Sequence, residues 1–429
     1  MRAPRRGPVA PDPHSGRPSR FPLVTCEAAL ASLRRFRALG VETVATADAV
    51  GRVLAQDVRT RLDLPHFDRS YMDGYAVRWR DTRGATPEQP AELRVTGSVT
   101  MGKPVRRPLG AGEAMRIPTG GMMPAGADAV VMVEHTQEHA GVVAIEHAPR
   151  RMQHVMRRGE DARRGTLVFA RGHRLRPADV GALSGVGVGR VRVHRRPRVA
   201  VIATGDEIVG PDVTPRPGQV RNVNQYALRA LITAAGGDPL DLGVLPDREA
   251  VIARALRRAL GEADAVLISG GSSVGSKDLT PTVVTSMPRA RILVHGVRIK
   301  PGKPMLIAHA GATAVIGLPG NPTSALVIFE LFAVPLIRRL GGEPDAAAFA
   351  PRRSRRAILA ETIVSAAGRE DHVRVALAEA SDGTMRAQPL AGGSGDIVSF
   401  VRADGLVRVP ADTTALAAGS PINVRLLPD

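Results

Sequence analysis

The run ADAVLISGGSSVGSKD, residues 263–278, decides the fold. Its first half is short, apolar and bounded by turn residues, which is the pattern of a strand buried on both faces. Its second half is glycine and serine. The backbone amides of Gly270–Ser276 are free to converge on an anion, with hydroxyls beside them. A buried strand ending in such a loop belongs to an open α/β sheet, where ligands bind outside the carboxyl ends of the strands.

The surrounding sequence repeats the unit. PRVAVIATG (197–205), LDLGVLP (240–246) and ATAVIGLPG (312–320) read as further strands. Helices are predicted over Asn222–Ala235, with Leu228, Leu231, Ile232 and Ala235 on one face, and over Asp247–Leu260 and Pro322–Leu340. This alternation predicts a mostly parallel sheet covered on both faces. Before it, from Val41 to about Arg192, runs such as ELRVTGSV, AVVMVEH and GVVAIEH between Gly/Pro turns predict small β-rich domains. Thr25 caps an expected helix through Leu30, Leu33, Phe36 and Leu39, stopped by Gly40. After Gly342, HVRVALAE, GLVRVP and PINVRLL predict a small C-terminal β domain.

Composition narrows the function. With 59 Lys and Arg against 41 Asp and Glu, the net charge of +18 favours anionic partners. The basic residues are scattered and lack interleaved aromatics, which argues against nucleic acid as a partner. The one cysteine, Cys26, is expected to exclude an intrachain disulfide framework, a CxxC pair or a cysteine zinc site. No apolar run approaches the roughly 20 residues of a membrane span. Residues 1–21 are basic and proline-rich without an apolar core, so they read as a disordered tail and the protein as cytoplasmic.

At the expected carboxyl ends stand Thr204-Gly205-Asp206-Glu207, Pro246-Asp247, Gly270 through Asp278, Lys300-Pro301-Gly302-Lys303 and Gly317 through Pro322. Glu207, Asp247 and Asp278 offer oxygen ligands for Mg²⁺. Lys300 and Lys303 offer positive charge for phosphate or an oxyanion. Each has a plainer alternative: Asp247 as a helix cap, Glu207 as an ordinary turn residue, the glycine loop as a tight turn. Other patterns fail. GGSSVGSK lacks the Gly-Lys-Ser/Thr of a P-loop, since Ser276 separates Gly275 from Lys277. GVGVG (185–189) precedes a strand-like VRVH instead of a helix. His135 and His139 lie in a strand–turn region, a weak metal pair, and no neighbouring histidine activates Ser272 or Ser273.

FDRSYMDGYAV (67–77), RIPTGGMMPAGADAVVMVE (116–134), RRGED (157–161), ATGDE (203–207), LISGGSSVGSKD (267–278), IKPGKP (299–304) and GLPGNPTSA (317–325) together resemble the molybdopterin molybdotransferase family, to which the C-terminal domain of gephyrin also belongs. The resemblance runs from about residue 22 to the end. It implies a homodimer of four-domain subunits: 22–58 with 152–192 as a linking domain, 59–151 inserted and β-rich, 193–342 the molybdopterin-binding α/β domain, and 343–429 a β-barrel. It implies molybdopterin adenylate and molybdate as substrates, AMP release with Mg²⁺, and contacts with the adenylyltransferase and with recipient molybdoenzymes.

Carried over by motif, the functional residues are Asp73, Thr119, Asp161, Glu207, Asp247 and Asp278, the lysines Lys300 and Lys303, Pro319 and Pro322, and Ser394 of the late GSG. Gly270, Gly271, Ser272, Ser273, Gly275 and Ser276 would bind the terminal phosphate. Asp73, Thr119 and Asp161 would close the cleft from the partner subunit. Two positions depart from some members: Gly296 where a lysine can stand, and Met156 where an arginine can stand. A scaffold that has lost the reaction, and the enzyme that makes the adenylate, are the rival readings. The acidic set argues against the first, and the flanking domains against the second.

Overall fold

The computed structural model describes residues 22–270, 279–351 and 353–428. The chain divides into two compact units. One holds residues 43–50 and 56–191; the other holds the chain up to 42, 51–55 and everything from 192 onward.

The larger unit is built on a six-stranded sheet. Its strands lie in the order Asp238–Leu245, Arg198–Thr204, Ala265–Ser269, Thr313–Leu318, Leu306–Ala310 and Ala290–His295. The first four run parallel. Alternation of side chains then separates two cores. Val199, Val201, Leu267 and Ile316 face one side, with Leu228 and Ile232 of helix Asn224–Ala235 and with Phe329 and Phe332. Ala200, Ile202, Ile268 and Val315 face the other, with Ile252 and Leu256 of helix Glu249–Glu262. Each such fully buried aliphatic side chain contributes about 1.5–3 kcal/mol.

The sheet is mixed, not uniformly parallel. Leu306–Ala310 runs antiparallel to both neighbours. Its link to Thr313–Leu318 is the two-residue turn Gly311–Ala312, with φ +62° at Gly311. A connection this short joins only antiparallel strands.

Two helices differ from their sequence reading. The first spans Cys26–Leu33, capped by Thr25 Oγ1, which accepts from the Ala28 N–H at 3.2 Å. It does not reach Gly40, because the Leu39 N–H donates to Leu340 O and Gly40 O accepts from the Arg195 N–H. Phe36 still reaches the core from the following turn. The Pro322–Leu340 segment is helical throughout but passes through a π-helical stretch, Phe329–Ala333. Pro335 follows at once, and its missing N–H is what the wider turn accommodates.

The C-terminal strands close into a five-stranded barrel: Glu370–Glu379, Met385–Pro389, Ser354–Leu359, Pro421–Leu426 and Gly405–Val409, which pairs again with the first. Val375, Ala387, Val407 and Val424 fill it. The short strand Ile299–Lys300 adds to Glu370–Glu379 in parallel.

The smaller unit carries a second six-stranded sheet, ordered Ala129–Met132, Gly74–Val77, Glu113–Ile117, Ala91–Ser98, Val142–Ile145 and Thr136–His139. Tyr75, Val77, Leu93 and Ile145 pack on one face, Ala76, Met115, Ile117 and Val130 on the other. Gly185 ends a helix, Pro177–Gly185, and the strand Arg190–His194 follows, so GVGVG opens no helix.

Candidate functional site

Register aligns the strand ends. Leu245 pairs with Thr204, Ala203 with Ser269, and Ser269 with Leu318. The segments Pro246–Asp247, Gly205–Glu207 and Pro319–Pro322, and Gly270, therefore leave one carboxyl edge. At about 4.8 Å per strand, four strand ends span on the order of 14 Å, a row that one extended anionic ligand can cross. Leu306 pairs with Gly317, so the Lys300–Lys303 turn before it reaches the same edge.

The acidic end of this row is tightly built. Asp206 Oδ1 accepts the backbone N–H of Asp247 at 3.2 Å and ties two strand ends together. Glu207 folds back over Gly205; a Cβ added there would lie 2.8–2.9 Å from both of its carboxylate oxygens. The helix after Asp247 begins at Glu249 and has no side-chain cap. Asp247 is thus not a helix cap. Its Oδ1 is buried and, among the described residues, accepts no hydrogen bond. Leaving such an acceptor bare costs about 1–3 kcal/mol, which a bound cation offsets.

The centre of the row requires glycine. Gly270 has φ +104°, and a Cβ would sit 2.2 Å from Thr204 O. Thr280 Oγ1 donates to Gly270 O at 3.4 Å. Asn224 Nδ2 donates to Ser269 Oγ at 2.7 Å and to Gly320 O at 2.8 Å, joining two strand ends from the next helix. Its Oδ1 and Thr204 Oγ1 are buried and unpartnered among the described residues. Asp206, Asn224 and Thr204 had no assigned role in the sequence. The signal for Asn224 was its place at the start of the helix predicted from Asn222. Gly271, Ser272, Ser273, Gly275, Ser276 and Asp278 lie outside the described residues.

Beyond the centre, Pro319 is buried and Pro322 opens its helix. Asn321 Nδ2 donates to Ser394 Oγ at 2.9 Å, and the Thr323 N–H donates to Ser394 O at 3.0 Å. Ser394 thus joins the same row from a loop far away in sequence. The lysines differ from each other. Lys300 Nζ lies 3.0 Å from Oδ2 of buried Asp371, whereas Lys303 pairs with no carboxylate among the described residues.

In the smaller unit, Asp73 Oδ1 accepts the Thr119 N–H at 2.8 Å. Gly74 is obligatory beside it, since a Cβ would lie 1.9 Å from Val131 O. The loop bearing Asp161 is tied to this segment by Tyr71, whose hydroxyl donates to Glu160 Oε1 at 2.7 Å. That contact holds the Glu160 carboxyl below its usual range and raises Tyr71. Asp73, Thr119 and Asp161 are all exposed.

The two departures have structural settings. Gly296 has φ +89°, and a Cβ would meet Leu23 Cδ2 at 2.6 Å, so a lysine here strains the backbone and displaces Leu23. Met156 accepts N–H···S contacts from Arg69 at 3.2 and 3.3 Å, a place an arginine would fill with like charge.

Three family descriptions match successive stretches: the MoeA N-terminal region (domains I and II) over 24–187, a probable molybdopterin-binding domain over 200–339, and the MoeA C-terminal region (domain IV) over 356–427. A molybdopterin molybdenumtransferase from Nostoc is 35% identical over 390 residues, covering 89% of this chain and 87% of the relative. The chain belongs to the molybdopterin molybdenumtransferase family. Molybdopterin molybdenumtransferase 2 of Mycobacterium tuberculosis is also 35% identical, over 387 residues, with 89% and 94% covered. A crystal structure of a molybdopterin biosynthesis MoeA protein from Pyrococcus horikoshii superposes with a TM-score of 0.81 at 30% identity, across 95% of this chain and 100% of the other.

Proposed function

We propose that this chain inserts molybdenum from molybdate into molybdopterin, taking the adenylated pterin and releasing AMP. One observation carries this reading beyond family membership. At the carboxyl edge, Asp247 Oδ1 is buried beside Asp206 and Glu207 with no donor among the described residues, and Lys303, a row away, pairs with no carboxylate among them. Acid at one end and base at the other suit a ligand that brings a cation and an oxyanion together.

The donor set fits Mg²⁺, a hard cation that takes carboxylate oxygens. Glu207 and Asp247 would hold it, with Asp278 as the third ligand implied by the sequence. When bound, it would offset charge on the phosphoanhydride. The protein's own residues bind and orient. Gly270 presents bare backbone where a side chain would collide. Asn224 and Asn321 hold the strand ends and Ser394 in place, and Lys303 attracts the oxyanion. Formation of the metal–dithiolene bonds is chemistry of the ligand itself. Asp73, Thr119 and Asp161 contribute to the same reaction in a homodimer, the protein acts in the cytoplasm, and the adenylyltransferase and recipient molybdoenzymes are its protein partners. No helix among the described residues is long and apolar enough to cross a membrane.

The test is AMP release from molybdopterin adenylate by the purified protein. Release that requires both molybdate and Mg²⁺, with molybdenum retained on the pterin, is the expected result. Tight adenylate binding without release under any condition overturns it in favour of a scaffold.

A further inference from the structure

We propose that Cys26, Glu370 and His372 form a second metal site, for a zinc-class divalent cation that clasps the N-terminal helix to the C-terminal barrel. Cys26 Sγ, a Glu370 carboxylate oxygen and a His372 ring nitrogen all lie within 4.8 Å of one another. Cys26 is 7% exposed and His372 8%.

The histidine points to a ligand. Its Nε2 is buried and has no hydrogen-bond partner among the described residues. Glu370 Oε2 is 3.7 Å away, too far for a hydrogen bond and close to the separation of two ligands on one tetrahedral ion. Zinc bonds of about 2.3 Å to sulfur and 2.0–2.1 Å to nitrogen place ligand atoms roughly 3.5 Å apart. Thiolate, imidazole and carboxylate are the donors this ion selects.

The surroundings support the assignment. Arg408 Nε donates to Glu370 Oε2 at 2.6 Å, and this outer hydrogen bond orients the carboxylate while leaving it further lone pairs. Cys26 opens its helix, where the dipole favours a thiolate.

The clasp lies one residue from the candidate active site. Glu370 pairs in register with Ile299, and Asp371 with Lys300. A cation on Glu370 and His372 therefore holds both neighbours of Asp371, the carboxylate that anchors Lys300. The site shares no ligand with the acidic row at the sheet edge, and its existence does not depend on the transferase reading.

Cobalt(II) titration of the full-length chain, stripped by a chelator, tests the proposal. Cys26 is the only cysteine, so a sulfur-to-cobalt charge-transfer band in the near ultraviolet has one possible source. The expected result is such a band saturating at one equivalent and abolished by zinc. His372→Gln and Glu370→Gln should each weaken cobalt binding tenfold or more, and Cys26→Ser should remove the band. Zinc should raise the melting temperature of the wild type and not of Cys26→Ser, with circular dichroism confirming that each variant is folded. Absence of the band in folded wild type at millimolar cobalt overturns the site. So does a band of unchanged affinity in folded His372→Gln or Glu370→Gln, which would reduce Cys26 to a lone thiol.

Discussion

Lys300 Nζ lies 3.0 Å from Oδ2 of Asp371, whose side chain is only 5% exposed while the lysine's is 51% exposed. The pair joins the turn before a strand of the α/β sheet to the first long strand of the barrel. The buried partner decides the consequence. Lys300→Ala leaves a buried carboxylate with Ser365 Oγ, at 3.3 Å, as its remaining side-chain donor among the described residues. Stability should fall by about 1–3 kcal/mol in urea unfolding. Lys303 has no such partner among the described residues, so Lys303→Ala should leave unfolding unchanged and raise KM for molybdate. A KM effect confined to Lys300→Ala would reverse the two roles.

Asp247→Asn separates chemistry from folding. The carboxylate caps no helix, and its Oδ1 already has no partner among the described residues. The variant should melt within about 0.5 kcal/mol of wild type, as for a substitution that breaks no cap or network. AMP release should drop at least tenfold, with partial recovery at high Mg²⁺. Glu207→Gln should behave alike. Full activity in both variants would remove the acidic row from the reaction.

Gly270→Ala probes the close approach of backbone at the strand end. With φ +104° and a Cβ 2.2 Å from Thr204 O, the substitution combines a disfavoured conformation with an overlap against main chain. The cost should be at least about 2 kcal/mol. Gly261→Ala, where nothing lies within 4 Å, is the control and should stabilise its helix.

Acid lability should appear in the smaller unit. Asp179 is buried, and hydrogen bonds from Arg176, helped by His173, hold its carboxyl well below the usual range. Its folded value lies under the unfolded one of roughly 3.9. The stabilisation is therefore complete above about pH 4 and is lost as pH falls toward the folded value. Asp179→Asn should flatten this part of the stability–pH curve, measured by thermal melts. An unchanged curve would mean that other carboxylates govern acid unfolding.

Much of the α/β unit could be read directly from sequence. Ala265–Ser269, Arg198–Thr204 and Thr313–Leu318 are largely apolar runs because both of their faces are buried, and Gly270 and Gly205, which follow the first two, leave no room for a Cβ. Glu207, Asp247, Gly270 and Pro319 follow from that rule alone. The antiparallel reversal at Leu306–Ala310 was harder to see. A strand buried within a sheet has the same composition in either direction, and only the two-residue turn at Gly311 betrays it.

What the sequence determined by itself is local: which segments are strands or helices, which residues stand at their ends, and the motifs that resemble the family. Periodicity and turn chemistry act over a few residues, so they are written in order along the chain. The tertiary structure decided what long-range pairing decides. It assigned Lys300 to Asp371, brought Ser394 to Asn321, and placed Cys26 beside Glu370 and His372. These partners are separated by tens to hundreds of residues. Their meeting depends on strand register and barrel closure, which no local pattern encodes.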